Sequence, residues 1–581
     1  MNISLIIMLS IILGLVVVMY VVGSRSGNLD NIKANTTGDG QYGDAKFANK
    51  KEISQNYKSI LFDPRSWRNG ENLPKYEGII LGANLSHGKI YAMVSTKDNH
   101  TMVVSAPGGG KTTTFLYPNL EYCAACGMSF FATDTKGNVP EDFVPVLKDY
   151  YHMKTYVIDL RNPANYDGYN MLYLTNKYLD KYKITGDLAD KARAEMYAKT
   201  IGSTIINLNQ SSSKAGQNKF FYIAAEGVIA AISYLVAEYC DPPKRHIVSV
   251  FKIIRQIIEF DPATVNKKDV MPVPYILKLY NMLPENHIAK DLLSAAATAG
   301  EFKTIASILS TAVSQMLAFI DSEMEQMLCF NSIDIEDFVQ NKTAIFFIFD
   351  ESSNTKNMIG NLLIRQTYNE LLKASEKYEN NKLPHRIQYF LDEFGTYTAI
   401  EGVEQFFSAG RSRNIIVNPF LQSLSQLDEK YGVQTAKNIR SSCQNTIFTY
   451  LSPLSDDAKT FSDALGTQTV RGGSVSNRSG SSSHSSSTTY QMIKKPLQSP
   501  EQLRRLQKGN WILMSTGTNP VKVKMPEFKR WNIELPDAEN KYKLESKANR
   551  TVQYASRDEL MGLIQYPGTF TASKIKSEYL E

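Results

Sequence analysis

Hydrophobic and polar residues alternate along this chain on several distinct periods, and each change of period marks a change of element. From Ile3 to Val22 no residue is acidic or basic at neutral pH, and about 20 apolar residues cross the hydrocarbon core of a bilayer. Arg25 and Lys33 follow the run, no basic residue precedes it, and no small-x-small cleavage pattern closes it. The expectation is an uncleaved single-pass anchor over residues 1–24, in the cell membrane, with the bulk of the protein in the cytoplasm. A second apolar stretch, Phe220 to Cys240, is interrupted by Glu226 and Glu238 and reads as a buried helix instead. Residues 25–75 are polar, rich in Gly, Asn and Lys, and predict a juxtamembrane linker with one short helix.

From Tyr76 the pattern is that of a folded body. Short β-like runs at Gly78 to Leu81, Lys89 to Val94 and Thr101 to Val104 precede a helical stretch from Lys111 to Ala125. Strands over Met128 to Thr133 and Thr155 to Asp159 follow. Strand, helix, strand in this rhythm predicts a parallel-type central sheet of an α/β fold. Residues 174–341 then read as an all-α insertion, with helical patterns at Ala189 to Leu208, Phe220 to Ala237, His246 to Glu259 and Thr304 to Asp321. Strand signals return at Thr343 to Phe349, Ile387 to Leu391, Ile415 to Val417, Thr446 to Tyr450 and Trp511 to Met514. Residues 76–173 and 342–535 are therefore two parts of one domain, split in sequence and rejoined in space. Residues 472–489, dominated by Ser and Gly, predict a flexible loop, and residues 536–581 a polar tail.

Composition narrows the class only a little. With 43% hydrophobic and 21% charged residues the body folds rather than remaining disordered. A net charge of +6 over 581 residues excludes a dedicated nucleic-acid coat protein, so contact with a polyanion has to be local. Five cysteines make no disulfide framework, and the lone pair Cys123 and Cys126 lacks the partners for a zinc site, so packing is their expected role.

The strongest chemical signal is Ser105-Ala106-Pro107-Gly108-Gly109-Gly110-Lys111-Thr112, between a predicted strand and a predicted helix. In that context Gly108, Gly109 and Gly110 let backbone N–H groups converge on phosphate, Lys111 reaches the β- and γ-phosphates, and Thr112 offers its hydroxyl to Mg²⁺. Thr113 completes the nucleotide-binding set. The usual first glycine of such a loop is here Ser105. Two acidic pairs end strands, Asp350 with Glu351 and Asp392 with Glu393, and only one is expected on a strand neighbouring the loop. Asp392 and Glu393 are chosen, because Arg411, Arg413, a further strand and Gln422 follow them in the order such a site needs. Asp392 then belongs to the Mg²⁺ shell and Glu393 activates the attacking water. Gln422 senses the γ-phosphate, and Arg411 or Arg413 serves as an arginine finger toward a neighbouring subunit.

Together these motifs resemble the coupling proteins of type IV secretion and conjugation, of TraG and TraD type. The residues that carry the likeness are the phosphate loop, Thr133 to Asn138, Tyr169 to Leu172, Phe390 to Gly395, Gln422 to Leu427 with Tyr431-Gly432, and Ala464 to Gly466, from about Gly78 to Pro526. Pro496-Leu497 with Pro500 to Leu503 extends it. The resemblance implies a RecA-like P-loop motor domain interrupted by an all-α domain, a membrane-bound homo-hexamer, and ATP with Mg²⁺ as its cofactors. It further implies delivery of relaxase-bound DNA, single-stranded, to the inner-membrane proteins of a secretion channel. Two departures stand out. One apolar span is found where many relatives have two, and Asp134-Thr135-Lys136-Gly137-Asn138 replaces the more usual Asp-Pro-Lys-Gly-Glu. For DNA the cationic candidates are Lys214, Lys219, Lys303, Arg440, Arg471 and Arg478. The competing functions are an FtsK-type segregation motor and a substrate-receptor platform that binds ATP without working as a motor.

Overall fold

Seven short strands, several of them buried at every position, run parallel through the centre of the molecule. The computed structural model describes residues 8–18, 36, 40–207, 219–261, 273–317, 319–353, 355–480, 483–542 and 550–566. The strands are β1 (Lys58–Leu61), β2 (Ile79–Ser86), β3 (Lys89–Ser95), β4 (Thr101–Val104), β5 (Ser129–Asp134), β6 (Lys154–Asp159), β7 (Thr343–Ile348), β8 (Ile387–Leu391), β9 (Ile415–Leu421) and β10 (Asn445–Phe448). After them come β11 (Thr467–Gly480), β12 (Ser483–Pro496), β13 (Asn510–Ser515) and β14 (Val521–Lys524). Twelve form one sheet in the order β1-β3-β2-β14-β13-β10-β4-β9-β8-β5-β7-β6. From β10 to β6 every pairing is parallel, and from β10 to β1 every pairing is antiparallel.

The parallel half is covered on both faces, which is why its strands lack polar alternation. Alternate residues enter two different cores. Phe131, Ile345 and Phe347 face one, while Phe130, Phe346 and Phe390 face the other. Both halves of the split domain contribute, because β7, β8 and β9 interleave with β4 and β5 only after the insertion has been traversed.

Among the described residues between β6 and β7 the chain is helical, apart from an isolated bridge between Phe260 and Pro274. The helix Lys219–Tyr239 is long and apolar enough to cross a membrane, yet 67% of its apolar window lies inside the protein. Its packing explains this. A Cβ on Gly227 would lie 2.4 Å from the Leu292 carbonyl oxygen, and one on Gly202 only 2.6 Å from that of Glu226, so glycine lets three helices approach backbone to backbone.

Three expectations are corrected or bounded here. The linker expected over residues 25–75 is folded from about residue 44 onward. The helix Lys50–Asn56 begins with a capping box between Asn49 and Glu52, β1 edges the main sheet, and Asp63 caps the helix Pro64–Arg68. Trp67 of that helix meets Phe62 edge-on, and Phe62 meets Trp531, both at 4.7 Å between ring centroids. Apolar anchors at wide spacing in a polar stretch gave no period to read. The loop expected at 472–489 lies within β11 and β12, a separate antiparallel ribbon of two 14-residue strands. Backbone pairing needs no apolar run, so Ser and Gly did not prevent it. The expected span Ile3 to Val22 is described only as the helix Met8–Val18, apolar and shorter than a bilayer crossing, and its two ends lie outside the described residues.

Candidate nucleotide site

The phosphate loop leaves β4 at the carboxyl edge of the parallel strands. Backbone bonds tie it to both neighbours: Ser105 N donates to Leu421 O (3.0 Å) and Ala106 N to Tyr450 O (3.0 Å). Gly108 (φ 77°) and Gly110 (φ 89°) take left-handed conformations that side chains disfavour. A Cβ on Gly109 would fall 1.9 Å from Ser105 Oγ, so the serine that replaces the usual first glycine occupies the space a side chain would need. The helix after the loop opens as a π-turn over Lys111–Leu116 before becoming α-helical at Tyr117–Cys126. Its first amides have no intrahelical acceptor, which makes this end a place for anions.

Lys111 is buried, donates to Ser105 O (3.0 Å) and sits 3.7 Å from Glu393 Oε1. Thr112 Oγ1 donates to Asp392 Oδ2 at 3.2 Å. Asp392 and Glu393 follow β8, and Thr133 Oγ1 of β5 donates to Asp392 O (2.9 Å), fixing that turn. Burial, reinforced by the Glu393 charge and opposed by Lys111, pushes the Asp392 carboxyl up to about 7. Glu393 adopts φ 52°, a strained backbone for a non-glycine residue of the kind found at functional sites. Its Oε2 accepts from Gln422 Nε2 at 2.7 Å.

Gln422 comes from the end of β9, which lies between β4 and β8. This corrects the expectation that the acidic pair ends a strand neighbouring the loop: one strand intervenes, and its last polar residue reaches the glutamate. The rejected pair is also closer than expected. Asp350 and Glu351 line the far wall of the same cavity, of about 570 Å³, yet only Asp392 and Glu393 contact the loop. Asp350 is engaged in its own turn, accepting from Ser352 N (2.8 Å) and donating its amide to Asn357 Oδ1 (3.0 Å).

Arg411 and Arg413 stand apart from all this. Their 3-10 turn, Arg411–Arg413, precedes β9 and so lies at the amino edge of the sheet, opposite the loop. Lys136 lines the cavity, while its carbonyl accepts from Arg161 (2.6 Å), itself held by Asp159 (2.8 Å). A residue that sequence reading missed is Lys508, in the turn before β13. It lines the cavity, and its Cε lies 2.9 Å from the Cβ position of Gly110. Its partner is Glu527 (2.9 Å), a pair about half exposed on both sides. No motif flags it, because it reaches the loop only through the antiparallel extension of the sheet. The DNA candidates scatter: Lys303 is exposed, Arg440 pairs with Asp428 (2.9 Å), Arg471 stacks on Tyr490, Lys219 begins a helix, and Lys214 lies outside the described residues.

The donor set fits a nucleoside triphosphate with Mg²⁺. Among the described residues no three His, Cys, Asp or Glu side chains gather into an all-protein metal cage. Mg²⁺ held against phosphates needs no cage, only a carboxylate and a hydroxyl, and Asp392 with Thr112 supplies both beside a loop shaped for phosphate.

A model of the family described as Type IV secretory system Conjugative DNA transfer matches residues 44–555. The chain belongs to this family. The resemblance read from the motifs therefore holds over most of the length. Among curated members, the type IV secretion system-coupling protein VirD4 of Bartonella quintana (strain Toulouse) is 22% identical over 368 residues, 61% of this chain and 54% of that protein. The match thus spans about half the length of that relative. VirD4 of Bartonella henselae is 21% identical over 542 residues, 88% of this chain and 76% of that protein. The plasmid coupling protein TrwB, solved with the ATP analogue ADPNP, shares the fold with a TM-score of 0.50 at 13% identity, covering 84% of this chain and 97% of that one.

Proposed function

We propose that this protein is a membrane-anchored coupling ATPase that works as a homo-hexamer. It recruits relaxase-bound DNA and drives it, by ATP hydrolysis, through a type IV secretion channel. One observation carries the reading: Lys111 and Thr112 of the phosphate loop, which line a cavity with Glu393, lie against Glu393 and Asp392 at 3.7 and 3.2 Å. The reaction class follows from that convergence rather than from the loop alone, since an acid without the loop, or the loop without an acid, hydrolyses nothing.

Each residue has a part. The amides around Gly108 to Thr113 and the Lys111 ammonium grip the triphosphate. Mg²⁺ held by Thr112 and Asp392 would neutralise charge on the β- and γ-phosphate oxygens. Glu393 orients the attacking water and accepts its proton at Oε1, while the amide of Gln422 holds Oε2 and so fixes which oxygen faces the water. Arg411 lies at the opposite edge from its own cavity, so as a finger it serves a neighbour's nucleotide. A hexameric ring provides that neighbour and makes each hydrolysis depend on the next subunit. The apolar helix Met8–Val18 supports anchoring in the cell membrane, with the body in the cytoplasm where ATP is.

The test is DNA-stimulated ATPase activity of the full chain in detergent against Glu393→Gln. The variant is expected to bind ATP and to turn over about 10²- to 10⁴-fold more slowly. Wild-type turnover in the variant refutes the role of Glu393. Cargo binding by the wild type with no turnover in any nucleotide state makes the protein a receptor platform instead.

A further inference from the structure

The β11–β12 ribbon takes no part in the nucleotide site. It springs from Leu465, which shares a shallow hollow with Cys443, Gln444 and Thr516 at the amino edge of the parallel strands, opposite the phosphate loop. Its root is clasped by the amino-terminal segment: Ala45 N donates to Thr467 O (3.0 Å), Thr469 N to Gly43 O (2.9 Å), and Tyr42 N to Thr469 Oγ1 (2.9 Å). The direction of that clasp matters. Asp44 pairs with Gln468 and Thr36 with Val470, both antiparallel. Thr36, the residue nearer in sequence to the apolar helix Met8–Val18, therefore pairs two ladder positions farther from the root than Asp44 does.

The ribbon's charge is one-sided. No acidic residue occurs between Asp463 and Glu501, whereas Arg471, Arg478, Lys494 and Lys495 fall in that interval, in a chain that as a whole carries 64 basic and 58 acidic residues. Tyr490, Met492 and Ile493 of β12 are exposed at 53%, 39% and 39%. The Arg471 guanidinium lies 4.6 Å from the centre of the Tyr490 ring. Cations beside an exposed aromatic ring and aliphatic side chains suit the headgroup region of an anionic bilayer. A two-stranded ribbon is also marginally stable alone in water, so a surface to lie on would stabilise it.

We infer that the β11–β12 ribbon is a docking arm for anionic phospholipid headgroups, with Arg471, Lys494 and Lys495 as its phosphate contacts. All three lie within the first five ladder pairs of the ribbon's root, so the contact is made close to the sheet edge that the amino-terminal segment also reaches. The inference rests on Met8–Val18 being the membrane anchor, since Thr36, nearer to it in sequence than Asp44, pairs farther along the ribbon, with Val470 rather than Gln468. Nucleic acid is the other polyanion this charge would suit. The pairing of Thr36, the described residue nearest in sequence to the apolar helix, with Val470 of the ribbon favours lipid.

The experiment uses the full chain with Met492→Cys carrying an environment-sensitive fluorophore; four of the five native cysteines are buried and the fifth half-buried. It is reconstituted into phosphatidylcholine vesicles with or without a minority of phosphatidylglycerol. A blue-shifted emission, quenched by quencher-bearing lipid, is expected only in the anionic vesicles, and is reversed by salt. Arg471→Gln with Lys494→Gln and Lys495→Gln should weaken this docking about 100-fold. Identical emission in both vesicle types, or an unchanged response in the triple variant, overturns the inference. A response to added oligonucleotide in place of lipid overturns it too and assigns the ribbon to DNA. Flotation with uncharged vesicles reads the anchor separately. If flotation fails there but succeeds, through these three cations, with anionic vesicles, the anchor reading falls and the ribbon's lipid contact stands.

Discussion

The Mg²⁺-binding role proposed for Asp392 opposes the stability of the fold, and Asp392→Asn separates the two. Burial raises its pKa from 3.8 to about 7, with the Glu393 charge adding to the effect. The unfolded chain releases this proton near pH 4 and the folded one near pH 7. This group's contribution to stability is therefore whole below about pH 4 and is lost as pH rises through 7. The difference of about three pKa units, at 1.36 kcal/mol each, amounts to about 4 kcal/mol at pH 8. Asparagine keeps both contacts, with Oδ1 accepting from Glu393 N (2.9 Å) and Nδ2 donating to Thr112 Oγ1, now 3.2 Å from Asp392 Oδ2. Without nucleotide or Mg²⁺, the variant is expected to melt several degrees above wild type at pH 8, with the gap narrowed to less than half by pH 5 and closed only near pH 4. In Mg²⁺ and ATP the order should reverse, because wild type alone gains metal-dependent stabilisation. A variant that melts at or below wild type at pH 8, or a gap that is the same at pH 5, would refute the argument that this carboxylate is held at a cost.

Two further predictions follow from side chains around the cavity. Lys508→Gln should raise the KM for ATP several-fold with kcat little changed, whereas Glu527→Gln, which frees Lys508 from its half-exposed partner, should lower KM or leave it alone; equal KM values for all three proteins would show that Lys508 only covers the loop. Arg411→Ala should lose ATPase activity, and mixing it with an excess of Lys111→Ala subunits should restore part of it in co-assembled rings, since each supplies what the other lacks; no recovery in mixed rings would place the arginine's effect within its own subunit.

The sheet explains which parts of this molecule its sequence disclosed. Period and burial identified every strand of the parallel half to within a few residues, because strands such as Phe130 to Asp134 and Thr343 to Ile348 are apolar on both faces and bounded by turns. Their order across the sheet was not legible. Sequence neighbours β4 and β5 end up three places apart, and nothing in either strand records which later strand will enter the gap. The residues that depend on local spacing, Gly108 to Thr113, could therefore be found directly, while those that depend on sheet order could only be chosen between. Asp392 and Glu393 were separated from Asp350 and Glu351 by the residues that follow them, and Lys508 was missed because the antiparallel extension that delivers it carries no motif.

The same sheet order gives Gln422 its place. A strand between the phosphate loop and the acidic pair puts a third polar group between the two, and in this fold that group is an amide bonded to the glutamate at 2.7 Å. If β8 lay directly beside β4, Glu393 would face Lys111 alone, and the lysine's charge would decide its orientation. With β9 interposed, the carboxylate is held by a neutral donor on one oxygen and by a 3.7 Å ion pair on the other. The neutral donor fixes that oxygen without placing a second cation against the group, an arrangement that suits the water-activating role proposed for Glu393. In the proposed mechanism the intervening strand thus belongs to the catalytic geometry as well as to the scaffold, and Glu393, at φ 52°, bonds the residue that follows that strand.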